Sequence, residues 1–199
     1  MSLAQQSNHV AEELVYSYKP SLLGAPWEFR LTPTELVWEV GRHSGRVLYR
    51  NIRMVRLVYR PTTMQSSRFL AEIWSQDNPK LTIASVSCRS MLEQERQDAA
   101  YRNFVTVLHR HIGEAGDNAR LVSGTPGFIY WPGLGVFALV ALAMAALMVQ
   151  ALWTQSLGGA AIVAGFLAVL LWQVGQYFRR NRPGHYRSDV LPRQLLPRG

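Results

Sequence analysis

From Pro26 onward, apolar and polar residues alternate in short runs divided by turn residues, and this period of two predicts an antiparallel sheet. Trp27, Phe29 and Leu31 alternate with Glu28 and Arg30; Leu36, Trp38 and Val40 lie opposite Glu35 and Glu39. Thr32-Pro33-Thr34 separates these strands, and Gly41 to Gly45 is expected to form the next turn. Val47 to Arg50 then begins another strand. Ile52 to Arg60 follows, with Val55, Leu57 and Tyr59 facing one way, Arg56 and Arg60 the other, and Pro61 closing it. Arg68 to Ser75 and Lys80 to Val86 complete six strands, joined through Asp77-Asn78-Pro79, with Leu14 to Lys19 a candidate seventh.

The period then changes. Tyr101, Phe104, Val105, Leu108 and Ile112 recur at helical spacing, while Arg102, Asn103 and Arg110 fall elsewhere on the turn. Ser90 and Glu93 have capping-box spacing, and Gly113 is a natural stop, so one amphipathic helix is expected over 91–112. Such a helix can cover the open end of a twisted sheet. Glu93, Glu95 and Asp98 fall at its start, where carboxylates favour the helix dipole.

Between Arg120 and Arg179 there is no Asp, Glu, Lys or Arg. Two apolar stretches, 128–153 and 157–178, each exceed the ~20 residues needed to cross a hydrocarbon core. The connector Thr154-Gln155-Ser156 is too short to do anything but turn the chain back. Trp131, Trp153, Trp172 and Tyr177 sit near the ends, where amphipathic rings favour the headgroup level, and Arg179, Arg180 and Arg182 follow at once. The positive-inside rule puts these arginines in the cytoplasm and the uncharged connector outside. Ala141 with Ala145, and Ala161 with Gly165, have the four-residue spacing that allows close helix approach, although alanine is common in any membrane helix. Gln150 and Gln173 can bond between helices or be solvated at the interface. No ionisable side chain lies within either span, which argues against an ion or proton path.

The net charge of +8 follows the same division: residues 1–127 contribute +3 and residues 179–199 contribute +5. Because the excess abuts a membrane segment, it has a role in topology, and no nucleic-acid partner is expected. The single cysteine, Cys88, excludes an intrachain disulfide. Residues 1–6 have no basic or apolar signal region, so the N-terminal domain is expected on the same cytoplasmic side as the arginines.

Short strands followed by one closing helix resemble the pleckstrin-homology (PH) superfold, and particularly the bacterial PH-like domains of membrane proteins. The residues carrying the resemblance are the runs Leu31 to Glu39 and Gly45 to Leu57, with the helix around Tyr101 to Val105. It covers 12–115 and implies an α+β fold: a PH-like antiparallel β-barrel or sandwich capped by one helix, followed here by the two-helix transmembrane hairpin. The expected plan is a flexible 1–11, the domain at 12–115, a linker at 116–127, the hairpin within 128–178, and a basic cytoplasmic tail at 179–199. PH domains that bind phosphoinositides do so with basic residues in their first inter-strand loop, whereas the arginines here spread over strands and a later turn.

Those arginines, Arg42, Arg46, Arg50, Arg53, Arg56 and Arg60, are the candidate contact residues, since no acidic residue lies between Glu39 and Glu72. They form either a face toward anionic lipid, a partner surface, or a solvated sheet face. His109 and His111, two apart on a helix, cannot share a metal, so exposed or helix-terminal histidines are expected. Cys88 has no evident partner. The tail repeats Leu191-Pro192-Arg193 and Leu196-Pro197-Arg198; its leucines have no evident core to join, so a disordered or membrane-skimming tail is expected, with a docking motif as the alternative. No phosphate loop, nucleophile elbow, cofactor motif or paired metal ligands occur. The expectation is a non-enzymatic scaffold in the bacterial inner membrane, both termini cytoplasmic, whose domain meets a protein partner, another copy or anionic lipid headgroups. The alternatives are an accessory or assembly subunit of a larger complex and a membrane-bound enzyme with an unrecognised site.

Overall fold

A computed structural model describes residues 13–21, 24–61, 67–88, 94–116 and 118–197. The expected flexible segment 1–11 lies outside the described residues, as does the Ser90–Glu93 capping box.

The first alternating runs form β1 (Leu14–Tyr18), β2 (Trp27–Leu31), β3 (Glu35–Val40) and β4 (His43–Leu48), an antiparallel sheet in sequence order. The period of two puts Tyr16, Tyr18, Phe29, Leu31, Leu36 and Trp38 on one buried face. At the β2–β3 turn the Glu35 amide donates to Thr32 Oγ1 (3.1 Å). The next turn is shorter than expected. It comprises Gly41 and Arg42 alone, with Gly41 at φ +65°, and the strand resumes at His43. Gly45 belongs to the strand because it pairs with Trp38: a Cβ there would sit 2.6 Å from the indole Cζ2. Glycine makes room for the ring.

A 3-10 turn, Tyr49–Asn51, leads to β5 (Ile52–Pro61), β6 (Ser67–Ser75) and β7 (Leu81–Ala84), an antiparallel meander. Val55, Leu57 and Tyr59 point into the core while Arg56 and Arg60 point out, as the alternation predicts. β8 (Val86–Cys88) and β9 (Gln94–Arg96) form a separate ribbon. This corrects the helix start: Gln94–Arg96 is extended against β8, and the Gln97 amide bonds the Ser85 carbonyl (2.9 Å). The helix α1 therefore runs Asp98–Glu114. Its stripe of Tyr101, Phe104, Val105, Leu108 and Ile112 is buried, each side chain contributing about 1.5–3 kcal/mol of gross apolar burial.

Beyond α1 the expected linker contains β10 (Arg120–Ser123), which lies parallel to β5 on the edge away from β6. The chain then leaves through two long helices, α2 (Gly127–Trp153) and α3 (Leu157–Arg180), and returns as β11 (Gly184–His185), antiparallel to β10. The second sheet thus has the order β11-β10-β5-β6-β7. The two large sheets share one core, but their ladders stay separate, so among the described residues no barrel closes. Tyr hydroxyls bridge them instead: Tyr16 donates to the Ala84 carbonyl and Tyr18 to that of Thr82, both at 2.6 Å.

The tail is ordered over 181–197, contrary to the disordered or membrane-skimming form expected. A 3-10 turn, Arg193–Leu195, puts Leu195 fully into the core, and Leu191 and Leu196 pack against it. Arg102 donates to the Pro197 carbonyl. The histidine expectation is corrected at the same place. His109 is fully buried, donating from Nδ1 to the Val105 carbonyl (2.7 Å) and accepting the Tyr186 hydroxyl at Nε2 (2.9 Å). The domain therefore continues to Pro197, and the helices are an insertion between two adjacent strands.

With 27 and 24 residues, α2 and α3 span about 40 and 36 Å, and both are long and apolar enough to cross a membrane. They turn back at Thr154–Ser156, where Gln155 takes φ 55°. Gly133, Phe137, Ala141 and Ala145 face α3, with the Phe137 and Phe178 rings 5.5 Å apart. On α3 the inward positions are Ala160, Val163, Ala164 and Leu167. Ala161 and Gly165 rotate outward, so of the two expected pairs only Ala141 with Ala145 serves the hairpin itself, and on α3 Ala160 with Ala164 takes that place. Gln150 and Gln173 are also exposed.

Candidate functional site at the hairpin–sheet junction

The two strands of chain that join the hairpin to the sheet are tied to each other and to β5. After Ser123 the Gly124 amide still donates to the Leu57 carbonyl (2.8 Å), but the chain then departs for α2. Asn181, which caps α3, fills the vacated place. Its side-chain Oδ1 accepts from the Tyr59 amide (3.0 Å), and its Nδ2 donates to the Tyr59 carbonyl (2.7 Å). The carboxamide thus extends the edge as a residue of strand would, and Asn181 is fully buried. Its own backbone carbonyl accepts from the Thr125 amide (3.0 Å). Gly124 adopts φ +75°, and a Cβ there would collide with the carbonyls of Asn181 and Arg182. The Thr125 and Tyr177 hydroxyls meet at 3.2 Å, and the Tyr130 hydroxyl donates to the Phe178 carbonyl (3.3 Å).

The candidate arginines do not gather on one face. Arg42 and Arg50 are exposed at the β3–β4 turn and the 3-10 turn, and Arg46, 78% exposed, lies 3.9 Å from Glu35. Arg53 meets the Gln76 amide, whose oxygen accepts from Nη2 (2.6 Å) when turned toward it. Arg56 and Arg60 lie on the outer face of the second sheet beside Glu72, a buried carboxylate on which they converge at 3.9 and 4.0 Å, with Lys80 at 2.6 Å. Arg56 and Lys80 also flank Trp74, at 5.0 and 4.9 Å from its ring. Two of the six candidates thus share one carboxylate, Glu72, with Lys80.

A second basic group lies at the hairpin end of the domain. The last turn of α3 brings Arg179 and Arg180, the tail turn brings Arg193, and β9 brings Arg96 to one cavity of about 720 Å3. Gln176 and Gln194 supply amides, and Phe69 and Leu196 line its apolar part. Arg180 stacks on Tyr59 (4.6 Å), fixing its guanidinium at the junction, and Arg96 pairs with Asp98 (2.6 Å). No carboxylate is among the described residues lining the cavity. Arg179 and Arg182 are exposed at the foot of α3, as are Trp131 (63%) and Trp172 (73%) on the hairpin surface, while Tyr177 is turned inward to Thr125.

Sequence patterning pointed to Arg179 and Arg180 only as flanks of a span. Arg96 and Asn181 gave no signal, and Arg193 stood out only as part of the tail repeat, because what unites them is a fold-back across the hairpin. No family model, curated protein or solved structure matches this chain.

Proposed function

We propose that this is a non-enzymatic, membrane-anchored binding protein whose hairpin holds the β domain firmly at a bilayer surface for recognition of a protein partner or of the anionic surface itself. The observation that carries this reading is the insertion of α2 and α3 between hydrogen-bonded neighbours β10 and β11. A flexible tether would leave the domain free to tumble, whereas a hairpin whose two roots are bonded to one sheet fixes which surface faces lipid. Holding the domain there raises its local concentration, so weak contacts suffice. The exposed Trp131 and Trp153 are 22 residues apart on α2, about 33 Å of helix, which matches two headgroup levels. The arginines at the foot of α3 support a cytoplasmic domain in a bacterial inner membrane. The order of strands and closing helix supports a PH-like reading of the domain, with an open sheet edge extended by β10 and β11.

Alkaline carbonate extraction of membranes from expressing cells tests the anchor. The protein is expected to stay in the pellet; release into the supernatant sinks the reading. A second reading, an accessory subunit of a larger membrane complex, is favoured by the outward Ala161 and Gly165 and the exposed Gln150 and Gln173. Purification in mild detergent separates the two. A subunit copurifies stoichiometrically with one complex, and an independent binding module does not.

A further inference from the structure

Among the described residues, basic side chains gather at two places, and their counter-ions differ. On the outer face of the second sheet, Arg56, Arg60 and Lys80 are gathered around a counter-ion that the chain itself supplies, Glu72. At the foot of α3, Arg96, Arg179, Arg180 and Arg193 are gathered around an open cavity. Asp98 meets Arg96, but Arg179, Arg180 and Arg193 make no ion pair with a described carboxylate. Bringing guanidinium groups together is unfavourable unless an anion sits among them. The fold nonetheless enforces the convergence from three separate segments: the end of α3, the tail turn and β9. Two of these are held by buried anchors, Asn181 at the end of α3 and Leu195 in the tail turn.

From this geometry we infer that the cavity seats a phosphate-bearing anion, and that its source is the headgroup of an anionic membrane lipid. The inference rests on the membrane reading above, because Gln176 to Arg180 is the part of α3 that leaves the bilayer, at the level of lipid phosphates. Guanidinium forks match phosphate oxygens in bidentate fashion. Gln176 and Gln194 can serve headgroup hydroxyls, and Leu196, beside the nearly buried Phe69, can take the start of an acyl chain. A free phosphate uses the charges but leaves this apolar part empty. The lipid therefore fits the whole cavity better.

The test uses the full chain purified in detergent and native mass spectrometry, titrating phosphatidylglycerol, phosphatidylcholine and inorganic phosphate separately. Phosphatidylglycerol is expected to bind in preference to phosphatidylcholine. Its affinity is expected to fall about ten- to thirty-fold in R96Q/R193Q and to hold in the distant control R42Q/R46Q. Gln194→Glu distinguishes a ligand site from a merely structural cluster. By placing a carboxylate where the anion sits, it is expected to raise the melting temperature without lipid and to reduce phosphatidylglycerol binding. Equal affinity for the two lipids, or equal loss in the control, overturns the site. Inorganic phosphate competing as strongly as the lipid overturns the lipid source. Carbonate extraction on the same preparation of cells separates the two claims: a protein released from membranes fails as an anchor, and one retained without headgroup preference fails only here.

Discussion

Asn181 does with a side chain what β10 stops doing with backbone, and its two bonds to Tyr59 have no substitute once the carboxamide is gone. In Asn181→Ala the Tyr59 N–H and C=O remain buried without partners, a cost of about 1–3 kcal/mol for each. The expected result is a melting temperature several degrees lower, with Asn181→Asp no better at neutral pH because it sets a buried carboxylate against the Tyr59 carbonyl; thermal unfolding of the full chain in detergent measures both. His109 predicts a pH dependence by the same logic of burial. Desolvation lowers its pKa from the usual 6.5 to about 4, the bond to the Val105 carbonyl opposing this only in part. Between those values the unfolded chain binds a proton that the folded chain refuses, so this contribution to stability is whole above about 6.5 and falls as pH drops toward about 4. Tyr186 faces this ring through its hydroxyl and stays protonated, since burial raises its own pKa. Melting temperature should therefore decline from pH 7 to pH 4.5, and the slope should be shallower in His109→Gln. An equal slope in that variant assigns the acid sensitivity elsewhere.

The elements that sequence periodicity revealed are those that carry several alternations each. β2, β3, β5 and the stripe of α1 stood out because five or more residues repeat one pattern. β9, β10 and β11 have three, four and two residues, too few for any period, and β10 finds both its partners more than 60 residues away along the chain. Their existence is decided by tertiary pairing alone. The tail shows the same limit. Leu195 belongs to no periodic run, yet it is among the fully buried side chains, and the basic cavity beside it was illegible for the same reason. An element with so little local preference owes its order to packing, which makes the tail turn a sensitive place to cut. Leu195→Ala is expected to cost about 2–5 kcal/mol. It should also expose 184–197 to protease while α2 and α3 stay protected by detergent. Limited proteolysis followed by mass measurement of the fragments checks this, and an unchanged cleavage pattern refutes the anchoring role of Leu195.

At the scale of the whole molecule, the hairpin and the domain constrain each other's orientation. β10 and β11 are adjacent strands, so α2 must leave and α3 must return at one edge of one sheet. If the two helices cross a bilayer, the domain and the tail have to share a side, because no described segment outside the hairpin is long enough to cross separately. The connector Thr154–Ser156 then lies on the other side, carrying no charge to resist transfer. Single cysteines placed at Arg46, Gln155 and Arg182 in a Cys88→Ser background give the prediction a direct form. A membrane-impermeant maleimide applied to intact cells should label position 155 and leave 46 and 182 unlabelled until the membrane is opened. Labelling of 46 and 182 from outside with 155 protected reverses the orientation and leaves the hairpin intact. Labelling that divides 46 from 182 is incompatible with the paired strands, since it pulls β10 and β11 to opposite faces of the bilayer.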